Sequence, residues 1–342
     1  MNIKKEVLGE LERAYATCIM EVNGELTYIV ASEGHTSCMA YNAVTKKSTV
    51  VWDGPGGTMN IIPIPNRKNE FVATQKFFPT FNSKESMIVH GKCDNEGNWT
   101  IKPIMQIPYL HRFDLFLIED ELYFIGGILC DDKDYKDDWS KPGRAVIGKM
   151  SDTITEEFEL TTILDGLTKH HGFCAGQWKG KKAFFLTAVE GAYVAYIPER
   201  KNGEWQIEQL LSTEVSDMAI CDIDCDGELE IATIEPFHGE HGKIYKNIDG
   251  EFKVISEHEY EFGHVVWGGI LAGQKSFIIG GRKGKQEVIC YQYDQKTDSI
   301  TKTLIDNVGG PSNISVINLE DKDIILAANR QIGQVAIYEI TK

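Results

Sequence analysis

Seven apolar, strand-like runs at a regular spacing, a turn signal before each, and a matching strand pattern at the two chain ends predict an all-β chain folded as a seven-bladed β-propeller with four-stranded blades. The runs are ELTYIVAS, EFVATQKF, ELYFIGGIL, KAFFLTAV, LEIATIEP, KSFIIGG and DIILAAN, set about 50 residues apart. Their turns are NGE, RKNE, EDE, KGKK, CDGE, AGQ and EDK, and helical periodicity is almost absent.

Each run has neighbours of the same kind. Before them stand ATCIMEV, MNIIPIP, FDLFLIE, GFCAGQW, MAICDID, VVWGGIL and ISVINLE; after them come SCMAYN, SMIVHGK, RAVIGKM, AYVAYIP, GKIYKN, EVICYQY and QVAIYEI. Fourth strands follow as STVVWD, WTIKPIMQI, EEFELTTIL, WQIEQLL, EFKVISE and ITKTLID, one fewer than the blades require. The missing strand is NIKKEVLG at residues 2–9, patterned like ITKTLID, while the last blade stops after its third strand at Ile340. Residues 2–12 are therefore expected to complete that blade and remove the exposed edges of an open sheet. The expected blades are 15–52, 57–107, 109–164, 170–211, 215–256, 262–305 and 311–342 with 2–12, all in one domain spanning 1–342. The alternative is a pair of β-sandwiches or an irregular all-β fold.

Composition narrows the partners. The chain of 342 residues has 35 Lys plus Arg against 51 Asp plus Glu, a formal charge of −16. Phosphate binding needs a positive footprint, so nucleic acid and anionic membrane are not expected partners. No apolar stretch has the length of a signal peptide or a membrane span, so the expected location is cytoplasmic. The 8 cysteines are scattered through strand-like runs, as expected of reduced, buried thiols.

In a propeller the first strand of each blade lines a channel, and the loops entering it share one face with those joining second to third strands. Those positions carry His111 with Arg112, His170 with His171, His264, His35, Lys76, the acidic segment Asp131 to Asp138, Glu190, Glu235, His238, His241, Arg282 and Arg330. Of the 9 histidines only His90 and His258 lie elsewhere. A single such histidine is more often a hydrogen-bonded structural residue, but several from different blades could hold one ion with a position left open for substrate. The expected ligands are His171, His238, His241 and His264, and the expected ion is a divalent metal such as Zn, Mn, Ni or Mg. His170 and His171 are adjacent and point to opposite sides of a strand; His171, next to Gly172, is the better placed.

A second signal is Asp222-Ile-Asp224-Cys-Asp226-Gly227-Glu-Leu-Glu230. Carboxylates at positions 1, 3, 5 and 9 around a glycine turn can wrap a hard cation in oxygen, so structural calcium is one expectation, and a metal-free Asp/Gly turn is the other.

The run CDIDCDGELEIATIEP resembles the FG-GAP or VCBS repeat of seven-bladed propellers, with the full loop in the fifth blade and worn versions such as NLEDKDIILAA elsewhere. More narrowly, EPFHGEHGKIY (235–245), GHVVWGG (263–269) and ANRQIGQVAIYE (328–339) resemble the propeller of aldos-2-ulose dehydratases, which include 1,5-anhydrofructose dehydratase. That resemblance implies a lyase removing water from a keto-sugar, with His238, His241 and His264 at its site.

β-Elimination needs a base for the proton α to the carbonyl, a group that stabilises the enolate, and an acid for the departing oxygen. The candidate base is His171 or His111, and the candidate acid Glu235 or Glu190. Arg112, Arg282 or Arg330 would bind developing negative charge, a bound metal would polarise the carbonyl, and His35, Lys76, Glu190, Trp267 and Arg330 would contact the small-molecule sugar. The rival reading is a non-catalytic propeller that binds a glycan or a partner protein through the same face.

Overall fold

The computed structural model describes residues 1–78 and 83–342 and is built almost entirely of β-strands. Seven four-stranded antiparallel sheets follow one another along the chain, the blades of a seven-bladed β-propeller. The first strand is β1 (Asn2–Glu10). Blade one holds β2 to β5 (Ala14–Val22, Glu25–Ser32, Cys38–Asn42, Ser48–Trp52), and blade two β6 to β9 (Ile61–Pro63, Glu70–Gln75, Met87–Cys93, Trp99–Gln106). Blade three holds β10 to β13 (Leu110–Ile118, Glu121–Cys130, Pro142–Lys149, Thr161–Leu167), and blade four β14 to β17 (Phe173–Trp178, Lys181–Ala188, Gly191–Tyr196, Gln206–Leu211). Blade five holds β18 to β21 (Asp217–Cys221, Glu230–Glu235, His241–Ile248, Glu251–Glu259), and blade six β22 to β25 (Glu261–Leu271, Gln274–Lys283, Val288–Asp294, Ser299–Asp306). Blade seven has β26 to β28 (Ile314–Asn318, Asp323–Asn329, Gln334–Thr341), and β1 pairs with β28 as its fourth strand, the expected closure.

Turn chemistry explains the hairpins. Asn23-Gly24, Glu119-Asp120, Lys179-Gly180 and Ala272-Gly273 join first to second strands with both φ angles positive, and Asp249-Gly250 does the same between β20 and β21. Two left-handed residues in succession give the turn whose twist matches that of the strands it joins, and glycine adopts the second position without a Cβ penalty. Blade five departs from this rule, because the acidic loop 222–229 replaces its first turn.

The chain forms two compact units, residues 10–171 with 196–207 and residues 1–9 with 172–195 and 208–342. In the former, Ala16, Ile29 and Ala40 of blade one pack with Ile61, Phe71 and Val89 of blade two. Val72 and Ile88 of blade two pack in turn with Leu115, Phe124 and Val146 of blade three. In the latter, Ala219, Ala232 and Ile244 of blade five meet Phe277, Ile279 and Tyr291 of blade six. Ile278 and Cys290 of blade six then pack with Ile325, Ala327 and Tyr338 of blade seven. Both faces of each inner strand are buried, which is why those strands read as unbroken apolar runs rather than alternating ones.

All 8 cysteines are unpaired thiols, and burial pushes those of Cys18 and Cys290 up to about 12. Cys225 departs from the expectation of burial: it is exposed in the acidic loop at a left-handed φ of 64°. Among the described residues no helix is long and apolar enough to cross a membrane.

Candidate metal centre

Three first strands begin with the same irregularity. The pairing register shifts between Ala14 and Ala16 in β2, between Leu110 and Arg112 in β10, and between Gly263 and Val265 in β22. The residues left over are Tyr15, His111 and His264. A β-bulge re-aims the side chain of its extra residue, so these positions present a polar ring that the strand alternation alone would place differently.

His264 is 2% exposed, and its Nδ1 lies 2.6 Å from the carbonyl oxygen of Ser312. A carbonyl only accepts, so Nδ1 carries the proton and the lone pair is on Nε2. Backbone carbonyls orient metal-ligating imidazoles in this way. The His238 ring lies 5.1 Å from that of His264 and 4.6 Å from Phe262, stacked on both at small interplanar angles, and Phe237 is 4.2 Å away. His238 takes a left-handed φ of 49° in the turn after β19, and its N–H donates to Ser216 Oγ at 3.0 Å.

His171 is the residue at which the chain passes from one unit to the other, joined by one peptide bond to Gly172. Gly172 donates its N–H to Thr187 Oγ1 at 3.0 Å, and a Cβ there would meet Asp217 Cα at 2.5 Å, so only glycine lets the strand enter so closely. His238 and His264 stand in the same unit, and each has a ring nitrogen to offer. Two neutral imidazoles stacked in this way can form part of a ligand set for a borderline divalent ion, with further positions open.

His111 stands behind His171. Its ring packs against that of His171 at 4.3 Å, its Nδ1 is 3.3 Å from the His171 carbonyl oxygen, and its Nε2 is 3.3 Å from the Tyr15 hydroxyl. Nδ1 therefore donates to the carbonyl and Nε2 accepts from Tyr15.

The other expected site residues are placed as follows. His241 is partly exposed, and its Nδ1 lies 2.9 Å from Glu257 Oε1. Glu235 accepts from Thr233 Oγ1 at 2.7 Å and Tyr245 OH at 2.8 Å and pairs with Lys243 at 2.8 Å, so its carboxylate ties β19 to β20. Arg112 and Arg282 lie over aromatic rings, 5.9 Å from Tyr15 and 4.9 Å from Phe262. His35 meets Phe78 edge-on at 4.6 Å, near the exposed Lys76. Glu190 is exposed in the β15–β16 turn, and Arg330 opens a short 3-10 turn. Trp267 covers Gly269 and, partly buried, packs on the core of blades six and seven. His90 and His258, outside the expected site, pair with Glu70 at 3.0 Å and Glu287 at 3.1 Å.

Two residues escaped the sequence reading. Tyr15 could have been found by aligning AYAT with LHRF and GHVV at the starts of the first strands. Asp114 is a half-buried β10 residue whose carboxyl desolvation pushes up to about 6, and nothing in the run FDLFLIE distinguishes it from a surface acid.

No protein-family model matches the chain, and no curated protein matches it in sequence. Solved structures do resemble it. The Cps50 (Swd1) β-propeller domain of a Myceliophthora thermophila protein superposes with a TM-score of 0.62 at 7% identity, covering 99% of this chain and 100% of that one. Saccharomyces cerevisiae Sqt1 gives 0.55 at 7% identity over 97% of both chains. A candidate 6-phosphogluconolactonase of Bacteroides fragilis gives 0.56 at 12% identity, covering 91% and 93%. At such identities the likeness extends to the fold.

Proposed function

We propose that this propeller is a metal-dependent carbon–oxygen lyase that eliminates water from a keto-sugar. The observation that carries the reading is the pair His238 and His264 within one unit, whose rings stack at 5.1 Å; His171 is the third ligand the reading assigns. These residues would hold the divalent ion, and His264 is already in the tautomer that presents Nε2. The bound ion would act as a Lewis acid towards a carbonyl oxygen. The similarity of EPFHGEHGKIY and GHVVWGG to aldos-2-ulose dehydratases supports the choice of an oxidised sugar, since His238 and His264 fall within those two segments.

Elimination breaks the C–H bond α to the carbonyl and a C–O bond at the β carbon, forms a C=C bond and releases water. The chain must therefore accept one proton and deliver one. With His171 assigned to the ion, the Tyr15–His111 pair is the group that can exchange a proton, because its hydrogen bond already joins a hydroxyl to an imidazole nitrogen. Arg282, beside Phe262 in the stack that contains His238, supplies positive charge for the enolate. Glu235, held by three donors, is not needed for either transfer.

The test is titration of the purified, chelator-treated protein with Zn, Mn and Ni, followed by incubation with keto-sugars while enone absorbance is recorded. The reading requires one tightly bound ion per chain and a growing chromophore, both lost in a folded His264→Ala variant. Ion binding without any chromophore across a keto-sugar panel would leave a binding propeller and reject the lyase.

A further inference from the structure

The acidic loop between β18 and β19 is built as a cation loop, yet it carries its own cations. Left-handed Cys225 and Gly227 turn the chain so that the N–H groups of Asp226, Gly227 and Glu228 reach Asp224 Oδ1 at 3.2 Å, Asp222 Oδ1 at 3.4 Å and Asp226 Oδ1 at 2.8 Å. Each aspartate thus gives one oxygen to the backbone and keeps the other for a partner, and three of their oxygens lie within 4.8 Å of one another. Glu230 ends the loop fully buried: Oε2 accepts the Ile223 N–H at 2.8 Å, while Oε1 receives no hydrogen bond.

Into this arrangement reach two ammonium groups. Lys246 of β20 places Nζ against Asp224 Oδ2, 2.6 Å from Asp226 Oδ2 and 3.7 Å from Glu230 Oε1. Lys275 of β23 places Nζ 2.5 Å from Asp222 Oδ2. The carboxylates hold the Lys246 ammonium well above its usual range, so it keeps its charge at any ordinary pH. A hard divalent ion would need the same oxygens and would sit within a few ångströms of a fixed positive charge. The calcium that the spacing and the FG-GAP resemblance imply therefore does not fit this loop.

We propose that the Lys246 ammonium is the resident cation of the Asp222–Glu230 loop, in place of a calcium ion, and that this loop folds without metal. The lysine comes from the adjacent strand pair of the same blade, so the loop and the β20–β21 hairpin are fastened by one side chain. Removing it leaves Asp224, Asp226 and Glu230 with uncompensated charge around a gap, which makes a calcium site where none existed.

Calcium titration by calorimetry tests this, using full-length protein in a His264→Ala background to silence the histidine centre. The chain with Lys246 intact is expected to show no binding below millimolar calcium, and Lys246→Ala is expected to gain one site at least about 100-fold tighter. Adding Asp226→Asn should abolish the gained site. Should Lys246→Ala fold poorly, calcium-dependent recovery of its melting temperature reports the same gain, and Lys246→Met, which keeps the stem, provides a second variant. Stoichiometric calcium binding with Lys246 present, lost on Asp224→Asn, would overturn the proposal, as would the absence of any calcium gain in both lysine variants.

Discussion

The carbonyl of Ser312 decides what His264 can do, because an imidazole whose Nδ1 donates to it has its lone pair fixed on the other nitrogen. A residue so arranged loses little on binding an ion, and truncating it removes a ligand without leaving a charge behind. His264→Ala is expected to lower transition-metal affinity by roughly 100-fold or more while the far-ultraviolet spectrum stays that of a β-protein. Tyr15→Phe asks for a finer effect. It removes the hydroxyl bonded to His111 Nε2, leaving metal affinity unchanged and turnover reduced about 10-fold or more, as expected when one proton-transfer partner is lost. Glu230 offers a test of another kind: burial, with Asp224 next, pushes its carboxyl from 4.5 up to about 7. A carboxyl whose folded-state pKa lies above the unfolded one holds its proton more tightly in the fold. Stability is therefore expected to fall as pH rises from about 4.5 to about 7 and to level off above that. Glu230→Gln should flatten this slope, raising stability at pH 8 relative to the parent by roughly 3 kcal/mol and leaving it nearly unchanged at pH 4. Melting temperatures measured across that range check it.

Strands and turns were legible because their signals are local: a two-residue turn of Asn-Gly or Asp-Gly, then a run of Val, Ile and Phe buried on both faces. The closing strand was legible for the same reason, since NIKKEVLG repeats the half-exposed pattern of ITKTLID. Bulges were not. An extra residue in a strand changes neither composition nor alternation enough to be seen, so aligning the strand starts places Tyr15 with His111 and His264 but only the register shows that all three sit at bulges. Partners distant in sequence were equally hidden, which is why Glu235 read as a candidate acid and nothing singled out Lys246. The closing strand carries its own prediction. Lys5 pairs with Asp306 at 3.3 Å, Asp306 also accepts from Tyr338 OH at 2.8 Å, and β1 covers the edge of β28. Deleting residues 2–9 is expected to cost on the order of 1 kcal/mol for each ladder hydrogen bond lost. It also exposes an edge that pairs with other chains, so light scattering should report soluble aggregates that the intact protein lacks.

At the scale of the molecule, one supersecondary unit occurs seven times and chemistry enters where equivalent positions differ. Blade five has an acidic loop in place of a hairpin turn; blades three and six carry histidine at the bulge where blade one carries tyrosine. The scaffold says little about activity, as its likeness to propellers as different as Sqt1 and a candidate 6-phosphogluconolactonase makes plain. The differences between blades say more, and the stacked pair His238 and His264 is the sharpest of them. The most direct test is the metal content of the purified protein after dialysis against Zn, Mn and Ni, measured by mass spectrometry beside His171→Ala, His238→Ala and His264→Ala. The account predicts one transition-metal ion per chain in the parent and a large loss in each variant. An ion-free parent, or variants that retain the full complement, would contradict it.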